Sequence, residues 1–321
     1  MINQLLLQYL SQHNLNFEHN ISLSKKTWIK TGGMCSYWIV PQTKAQLTEL
    51  CRYLYSNKIK FDIVGQTSNI FFHSTYCPDV VVSTVKVNNY VIGDGFIDCD
   101  CGVSVIKLAK DCLERGYAGF YGLVGLPGTV ASSVYNNAGC FNCSISSMVE
   151  SVEWLSPKGT VQWLQPGPLG LSSRSSAFKR KEMEGVLLSV RLKVNKAADI
   201  ENEKMKSEET VNYRKTKQEG PYKNLGSVFC EMTMRRNIRN KIVMAVTRIV
   251  SAMRIRKNLR LFRKKLLLSI YGYNDLDRYI SDKDIKTFVW KDEHAESQFI
   301  RYKEFMGKVY TNLVIEIEEK I

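Results

Sequence analysis

The residues best suited to chemistry lie in two short stretches rich in glycine, hydroxyls and amides. The first is GLPGTVASSVYNNAGCFN, from Gly125 to Asn142. Pro127 followed by Gly128 fits the middle of a type II turn, because proline presets one φ and glycine accepts a positive one. Such a turn aims successive backbone N–H groups outward, and Thr129 adds a hydroxyl, so Gly125–Thr129 reads as an anion cradle. The second stretch, IVGQTSN, ends an apolar run in a similar turn built from Gly65, Gln66, Thr67, Ser68 and Asn69. Asn137 then supplies a side-chain amide beside Ala138 and Gly139, which are small enough for a flat ring to lie against the backbone. Either turn alone is more often a structural corner. Two cradles and a small-residue floor together favour a dinucleotide. No GxGxxG opens a βαβ unit, which argues against a Rossmann site.

These turns need elements to position them. Strand-like runs rich in β-branched and aromatic residues fill the first two thirds: SYWIV, FDIV, DVVVST, YVIGDGFIDCDCG, SVEWL, VQWL and VLLSVRLKV. Between them TKAQLTELCRYLYSNK and SVIKLAKDCLERG carry apolar residues at helical spacing, the second stopping at Gly116. NKAADIENEKMKSEET is polar and charged, and reads as the crossing into a last domain. That domain is mostly helical, with HAESQFIRYKEFMGKVY as a helix and NLVIEIEEKI as a terminal strand. The pattern is mixed α and β. At 321 residues, 44% of them apolar, the chain suggests two domains or a little more. No apolar run approaches the ~18–20 residues that cross a bilayer. MINQLLLQYL has neither a basic start nor a cleavage site and reads as a short amphipathic helix, so a cytoplasmic protein is expected.

The nine cysteines do not form a secreted disulfide framework, and reduced, buried thiols are expected. The close pairs Cys99/Cys101 and Cys140/Cys143 have no clustered histidine beside them, so no metal is expected. The net charge of +14 is concentrated: residues 232–270 hold twelve Lys or Arg and no Asp or Glu. Within that segment Ile238, Ile242, Val246, Ile249 and Met253 recur at helical spacing with arginines between them, an amphipathic basic helix. A solvated charged face, or one meeting a diphosphate substrate, is one reading; peripheral contact with an anionic membrane or a partner is another. No recognition module accompanies the charge, so nucleic acid is not expected.

TWIKTGG (27–33), VGQTSNIFF (64–72), GLPGTVASSVYNNAG (125–139), SRSSAFK (173–179), RKTKQ (214–218) and GSVF (226–229) stand in the order and rough spacing of the UDP-N-acetylenolpyruvoylglucosamine reductases, the MurB-type family that the chain resembles as a divergent member. The resemblance implies an α+β fold: a two-lobed FAD-binding domain of the vanillyl-alcohol-oxidase (PCMH) type, with lobes at 1–80 and 81–200, and a C-terminal α/β substrate domain at 201–321. It implies FAD as cofactor and NADPH as cosubstrate. It also implies reduction of UDP-N-acetylglucosamine enolpyruvate to UDP-N-acetylmuramate for peptidoglycan. Hydride reaches the enolpyruvyl methylene carbon and an acid protonates its neighbour. The cradle residues would hold FAD. Ser227 of the GS motif is the implied proton donor, and Arg174 of SRSS the arginine that holds the substrate carboxylate. Glu318 of the last strand is the implied third member, with Glu316 in reserve, since VIEIEEKI alternates and sets both glutamates on one face. Lys217 resembles a lysine that binds the diphosphate or nicotinamide. A monomer acting on a small UDP-sugar is expected.

Five positions depart from the family pattern. Thr67 stands where a glycine is usual, and a positive φ there would be costly for a β-branched residue. Ala131 and Ser132 replace two glycines, Ser173 a tyrosine and Glu231 an asparagine. The first three should crowd the cofactor. Two further readings remain open from the sequence: a divergent paralogue acting on a related nucleotide sugar in surface polysaccharide synthesis, and a catalytically lost flavin-fold interaction protein.

Overall fold

A computed structural model describes residues 2–220, 222–256 and 258–321. The chain divides into two compact units. One comprises residues 1–27, 32–68 and 76–212, and the other residues 28–31, 69–75 and 213–321.

The first unit opens with helix α1 (Ile2–Gln12), the amphipathic start expected from the sequence. Its first sheet orders strands Asn16–Ser22, Met34–Val40, Val80–Ser83 and Asp62–Val64, with the outer pair Asn16–Ser22/Met34–Val40 antiparallel and the rest parallel. Helix α2 (Lys44–Ser56) starts where the Thr43 side chain accepts the Gln46 N–H, and buries Leu47, Leu50, Cys51 and Leu54. These residues share a core with Ile39 and Val82 of the first sheet and with Leu155, Val186 and Leu188 of the second.

The second sheet is antiparallel throughout, in the order Val161–Leu164, Val149–Leu155, Val186–Lys193, Phe96–Asp100, Tyr90–Ile92. The run YVIGDGFIDCDCG is therefore a hairpin and not one strand, turning at Gly93–Gly95, where Gly95 has φ 75°. Helix α3 (Val105–Glu114) buries Val105, Leu108, Ala109 and Cys112 against this sheet, and Gly116 follows at φ 75°, the left-handed stop its sequence predicts. The short helix α4 (Val130–Tyr135) adds Val130 and Val134 to the same core.

The polar stretch expected to be a crossing is instead helix α5 (Ile200–Lys217), and the division between the units falls inside it. Few of its residues are buried; charge supports it. Glu201 and Glu203 lie in its first turn and Arg214, Lys215 and Lys217 in its last, which complements the helix dipole, and Asp199 accepts the Asn202 N–H.

In the second unit, α6 (Ile238–Ala252), α7 (Leu259–Tyr271) and α8 (Ala295–Val309) pack with three strand pairs. Lys223–Ser227 lies antiparallel to Thr287–Trp290, and Phe229–Met234 antiparallel to Tyr310–Ile315. The core is aromatic: Phe71, Phe229, Phe288, Phe299, Tyr302 and Phe305 are all fully buried. The terminal segment expected as one strand breaks at 316–317. Tyr310–Ile315 takes one partner, and Glu318–Lys320 runs parallel to Ile70–Phe72. The break also undoes the alternation, because Ile317 is buried at 4% exposure while Ile315 is 44% exposed.

Candidate active site

In the first unit the two glycine-rich turns close on each other. A Cβ on Gly65 would lie 2.8 Å from Thr129 Oγ1, a distance real side chains do not tolerate. Gln66 Oε1 accepts the Gly128 N–H at 3.0 Å. Gly128 sits at φ 127°, open only to glycine, as the Pro-Gly reading requires. Thr67 is buried at φ 55°, so the chain holds a β-branched residue in the left-handed region at a cost of about 1–2 kcal/mol. Strain of this kind persists only where the surroundings fix the conformation, and it concentrates at binding sites.

The donors are distributed differently from the sequence expectation. The Thr129 N–H goes to Ser132 Oγ at 2.9 Å, Val130 N–H to Val103 O at 2.8 Å and Ala131 N–H to Cys101 O at 3.2 Å. With Gly128 clasped to Gln66, the Pro127 turn has few N–H groups left for an anion. Among the described residues, those of Gln66 and Ser68 make no hydrogen bond, so the open donors sit on the Gly65–Asn69 turn.

Ala131 and Ser132 take part in the local structure of this corner. Both belong to the first turn of α4, and Ser132 folds its hydroxyl back to form a capping box with Thr129. Ala131, half-buried, packs against both cores of the first unit.

The NNAG floor also differs. Its amides are engaged inside the protein: Asn137 Nδ2 donates to Ser172 O at 2.6 Å, and Asn136 Oδ1 accepts from Lys179 Nζ at 2.9 Å. Ser176 Oγ donates to Tyr135 O at 2.6 Å. These three bonds tie the floor to the loop that carries Arg174, which sits at φ 53° at the tip of a tight turn closed by Ser172 and Ser175, whose N–H and C=O groups pair at 3.0 Å. Asn137 thus acts through its amide to place the Arg174 turn. Ala138 N–H donates to Ser133 O, and Gly139 pairs with Ser144 in a hairpin too close for a side chain, since a Cβ would lie 2.6 Å from Cys143 O. Cys140 and Cys143 face each other across that hairpin, where Cys140 Sγ donates to Gly122 O and burial pushes the Cys143 thiol up. No group of three or more metal-holding side chains occurs among the described residues.

The second unit carries Ser227, Glu318 and Lys217. Ser227 ends its strand after Gly226 at φ 75°, half-buried, and its hydroxyl makes no hydrogen bond among the described residues. The next residue links to the terminal segment, with Glu316 N–H donating to Val228 O at 2.8 Å. Asn69 then accepts the Glu318 N–H at 2.9 Å on its carbonyl. The backbone therefore fixes Glu318 two residues beyond Glu316, which bonds the neighbour of Ser227, and the Glu318 carboxylate pairs with Lys320 at 3.1 Å. Glu318 and Glu319 point their carboxylates to different partners: Glu319 meets His73 at 3.2 Å and Lys303 at 2.7 Å. This second cluster was signalled in the sequence only by the Glu-Glu pair. Lys217 is exposed at the end of α5.

A family described as an FAD binding domain matches residues 35–165. UDP-N-acetylenolpyruvoylglucosamine reductase of Caldicellulosiruptor bescii is 29% identical over 221 residues, 69% of this chain and 70% of its own length. The Staphylococcus aureus protein of the same name is 25% identical over 231 residues, 71% and 74% of the two chains. The crystal structure of UDP-N-acetylenolpyruvylglucosamine reductase from Thermus caldophilus superposes with a TM-score of 0.67 at 19% identity, covering 96% of this chain and all of that one. The α+β fold is thus shared with the Thermus caldophilus reductase, and residues 35–165 of it match an FAD binding domain. The chain is similar, as a divergent relative, to the UDP-N-acetylenolpyruvoylglucosamine reductases, and it carries an FAD binding domain match.

Proposed function

We propose that the chain reduces UDP-N-acetylglucosamine enolpyruvate to UDP-N-acetylmuramate with NADPH, as a cytoplasmic step in peptidoglycan precursor synthesis. The observation that carries this reading is the clasped pair of turns. Thr67 keeps a left-handed backbone at a position where a glycine would be unstrained, and the turn it belongs to keeps open N–H groups. Those donors, with Gly65 drawn against Thr129, suit the diphosphate of FAD. Bound FAD would supply the storage of a hydride between NADPH and the enolpyruvyl methylene carbon.

Within this reading the remaining roles belong to side chains. Arg174, set at the tip of its turn by Asn137, offers a two-pronged guanidinium to the enolpyruvyl carboxylate and stabilises charge as it develops there. Ser227 gives its hydroxyl proton to the carbon next to the one that gains hydride. A neutral serine is a weak acid, so the step needs a basic enolate and little water. Glu318 orients the reacting groups from the terminal strand that pairs with Ile70–Phe72, and Lys217 meets the phosphates of the nucleotide.

Purified protein is expected to be yellow. After anaerobic reduction with NADPH, the enolpyruvyl substrate should reoxidise the flavin. Ser227→Ala should still be reduced by NADPH yet lose at least ~10²-fold in the reoxidation rate, the scale of a positioned acid. Unchanged reoxidation by that variant would refute the assignment of Ser227, and protein that cannot be loaded with FAD would refute the reading as a whole.

A further inference from the structure

Helix α6 is amphipathic in an unusual sense: its buried side is not its most apolar side. The residues it buries are Asn240, Val243 and Thr247, two of them polar. Asn240 is held by Arg235 O and Val309 O, and Thr247 by Val243 O. The opposite side carries Ile238, Ile242, Ile249 and Met253, which are 70%, 47%, 58% and 64% exposed, and Ile255 continues the line just past the helix at 58%. Spacings of four, seven and four residues set the first four on a single stripe. Arg239 borders the stripe on one side, and Lys241 and Arg248 border it on the other; Arg254 and Arg256 follow at its end, all exposed. Lys257 of the same segment lies outside the described residues. Lys264, by contrast, is buried at 3% exposure and compensated by Asp277 and Asp282, so its charge stays internal.

An exposed aliphatic stripe costs hydration free energy unless something covers it. The rim decides what. A second copy would bring two cationic rims together without a carboxylate between residues 232 and 270 to offset them. Nucleic acid would match the rim but offers the isoleucines nothing apolar. A protein groove is generally entered by an aromatic or arginine anchor, whereas this stripe is aliphatic along one convex helix. A surface of uniform negative sign with hydrocarbon beneath it satisfies both features, because arginine and lysine stems can lie along the stripe with their charges at the headgroups.

We infer that α6 docks the protein on anionic lipid, with Ile238, Ile242, Ile249 and Met253 entering the headgroup boundary and Arg239, Lys241, Arg248 and Arg254 meeting the lipid charges. The flavoprotein would then sit on the membrane while its site works on a soluble sugar nucleotide.

The test is co-sedimentation of the FAD-loaded full chain with phosphatidylglycerol/phosphatidylcholine vesicles and with pure phosphatidylcholine vesicles. The protein should sediment with the anionic vesicles alone and be released as salt rises. Lys241→Gln/Arg248→Gln/Arg254→Gln should lower the partition coefficient by roughly 10²-fold, given about tenfold or less per cation near the surface. Ile242→Ser/Ile249→Ser should also lower it at least tenfold. Both variants change exposed side chains, so flavin content and turnover of the substrate should match those of the unaltered chain. Three outcomes overturn the inference: no binding to anionic vesicles, equal binding to pure phosphatidylcholine, or full anionic binding by Ile242→Ser/Ile249→Ser. A change in oligomeric state on mutating the stripe, without vesicle binding, would assign it to self-association instead.

Discussion

At the scale of single residues, the cofactor corner depends on how closely two backbones approach. Gly65 has no alternative, because its missing Cβ is the space occupied by the Thr129 side chain. Gly65→Ala should part the turns and weaken FAD binding by about tenfold, some 1.4 kcal/mol, in a fluorescence titration of the apoprotein. Gly167→Ala, where a Cβ would meet nothing within 4 Å, should titrate like the unaltered chain. Equal affinities for the two variants would remove the clasp from the account of FAD binding. Thr67 shows the complementary case: the sequence marked it as the position where a β-branched residue would be costly if φ were positive, and φ is 55°. The cost is carried by the fold and not avoided.

At the scale of elements, Ala131 and Ser132 fall in a helix start. Ser132 is at once the acceptor for Thr129 N–H and the residue whose own N–H reaches Thr129 Oγ1. Ser132→Ala should therefore lower stability by about 1 kcal/mol, read as a shifted urea midpoint with unchanged slope. If Ser132→Ala proved neutral, the capping box would contribute nothing and the loss of the glycine would need another explanation. The same lesson applies to α5: a composition that looked like a linker forms an 18-residue helix because its charges suit both ends of the dipole. The terminal strand failed in the opposite direction. VIEIEEKI alternates as one strand should, yet it changes partner in the middle, since Phe229–Met234 ends its pairing at Ile315 and Ile70–Phe72 takes over at Glu318.

At the scale of the molecule, the cysteines report on packing. Cys35, Cys51, Cys99, Cys101, Cys112 and Cys143 are buried, as expected from the sequence, while Cys77 is exposed. Burial raises the Cys35 thiol to about 11 and the Cys101 and Cys112 thiols to about 12, and drives Cys51 and Cys99 well above their ordinary range. A raised value keeps the thiol protonated at pH 8, so low access and a small thiolate fraction act in the same direction. A disulfide reagent at pH 8 should modify Cys77 first and leave those five unreacted until denaturant is added. Rapid native labelling of Cys51 or Cys99, mapped by mass spectrometry, would contradict the packing of both cores in the first unit.

The sequence by itself determined most strands and helices of the first 200 residues, the stop of α3 at Gly116 and the order of the motifs that resemble one reductase family, because these depend on local dihedral preference, periodicity and spacing. It also located both glycine-rich turns. Only the tertiary structure decided which turn keeps its donors, since Gly128 is 62 residues from the Gln66 carbonyl that takes its N–H. The same holds for the role of Asn137, whose partner Ser172 lies 35 residues on. It also decided which face of α6 is buried. Helical spacing identifies an apolar stripe, but whether that stripe meets the core or solvent depends on what the rest of the chain packs against it, and here Asn240, Val243 and Thr247 took the inner side.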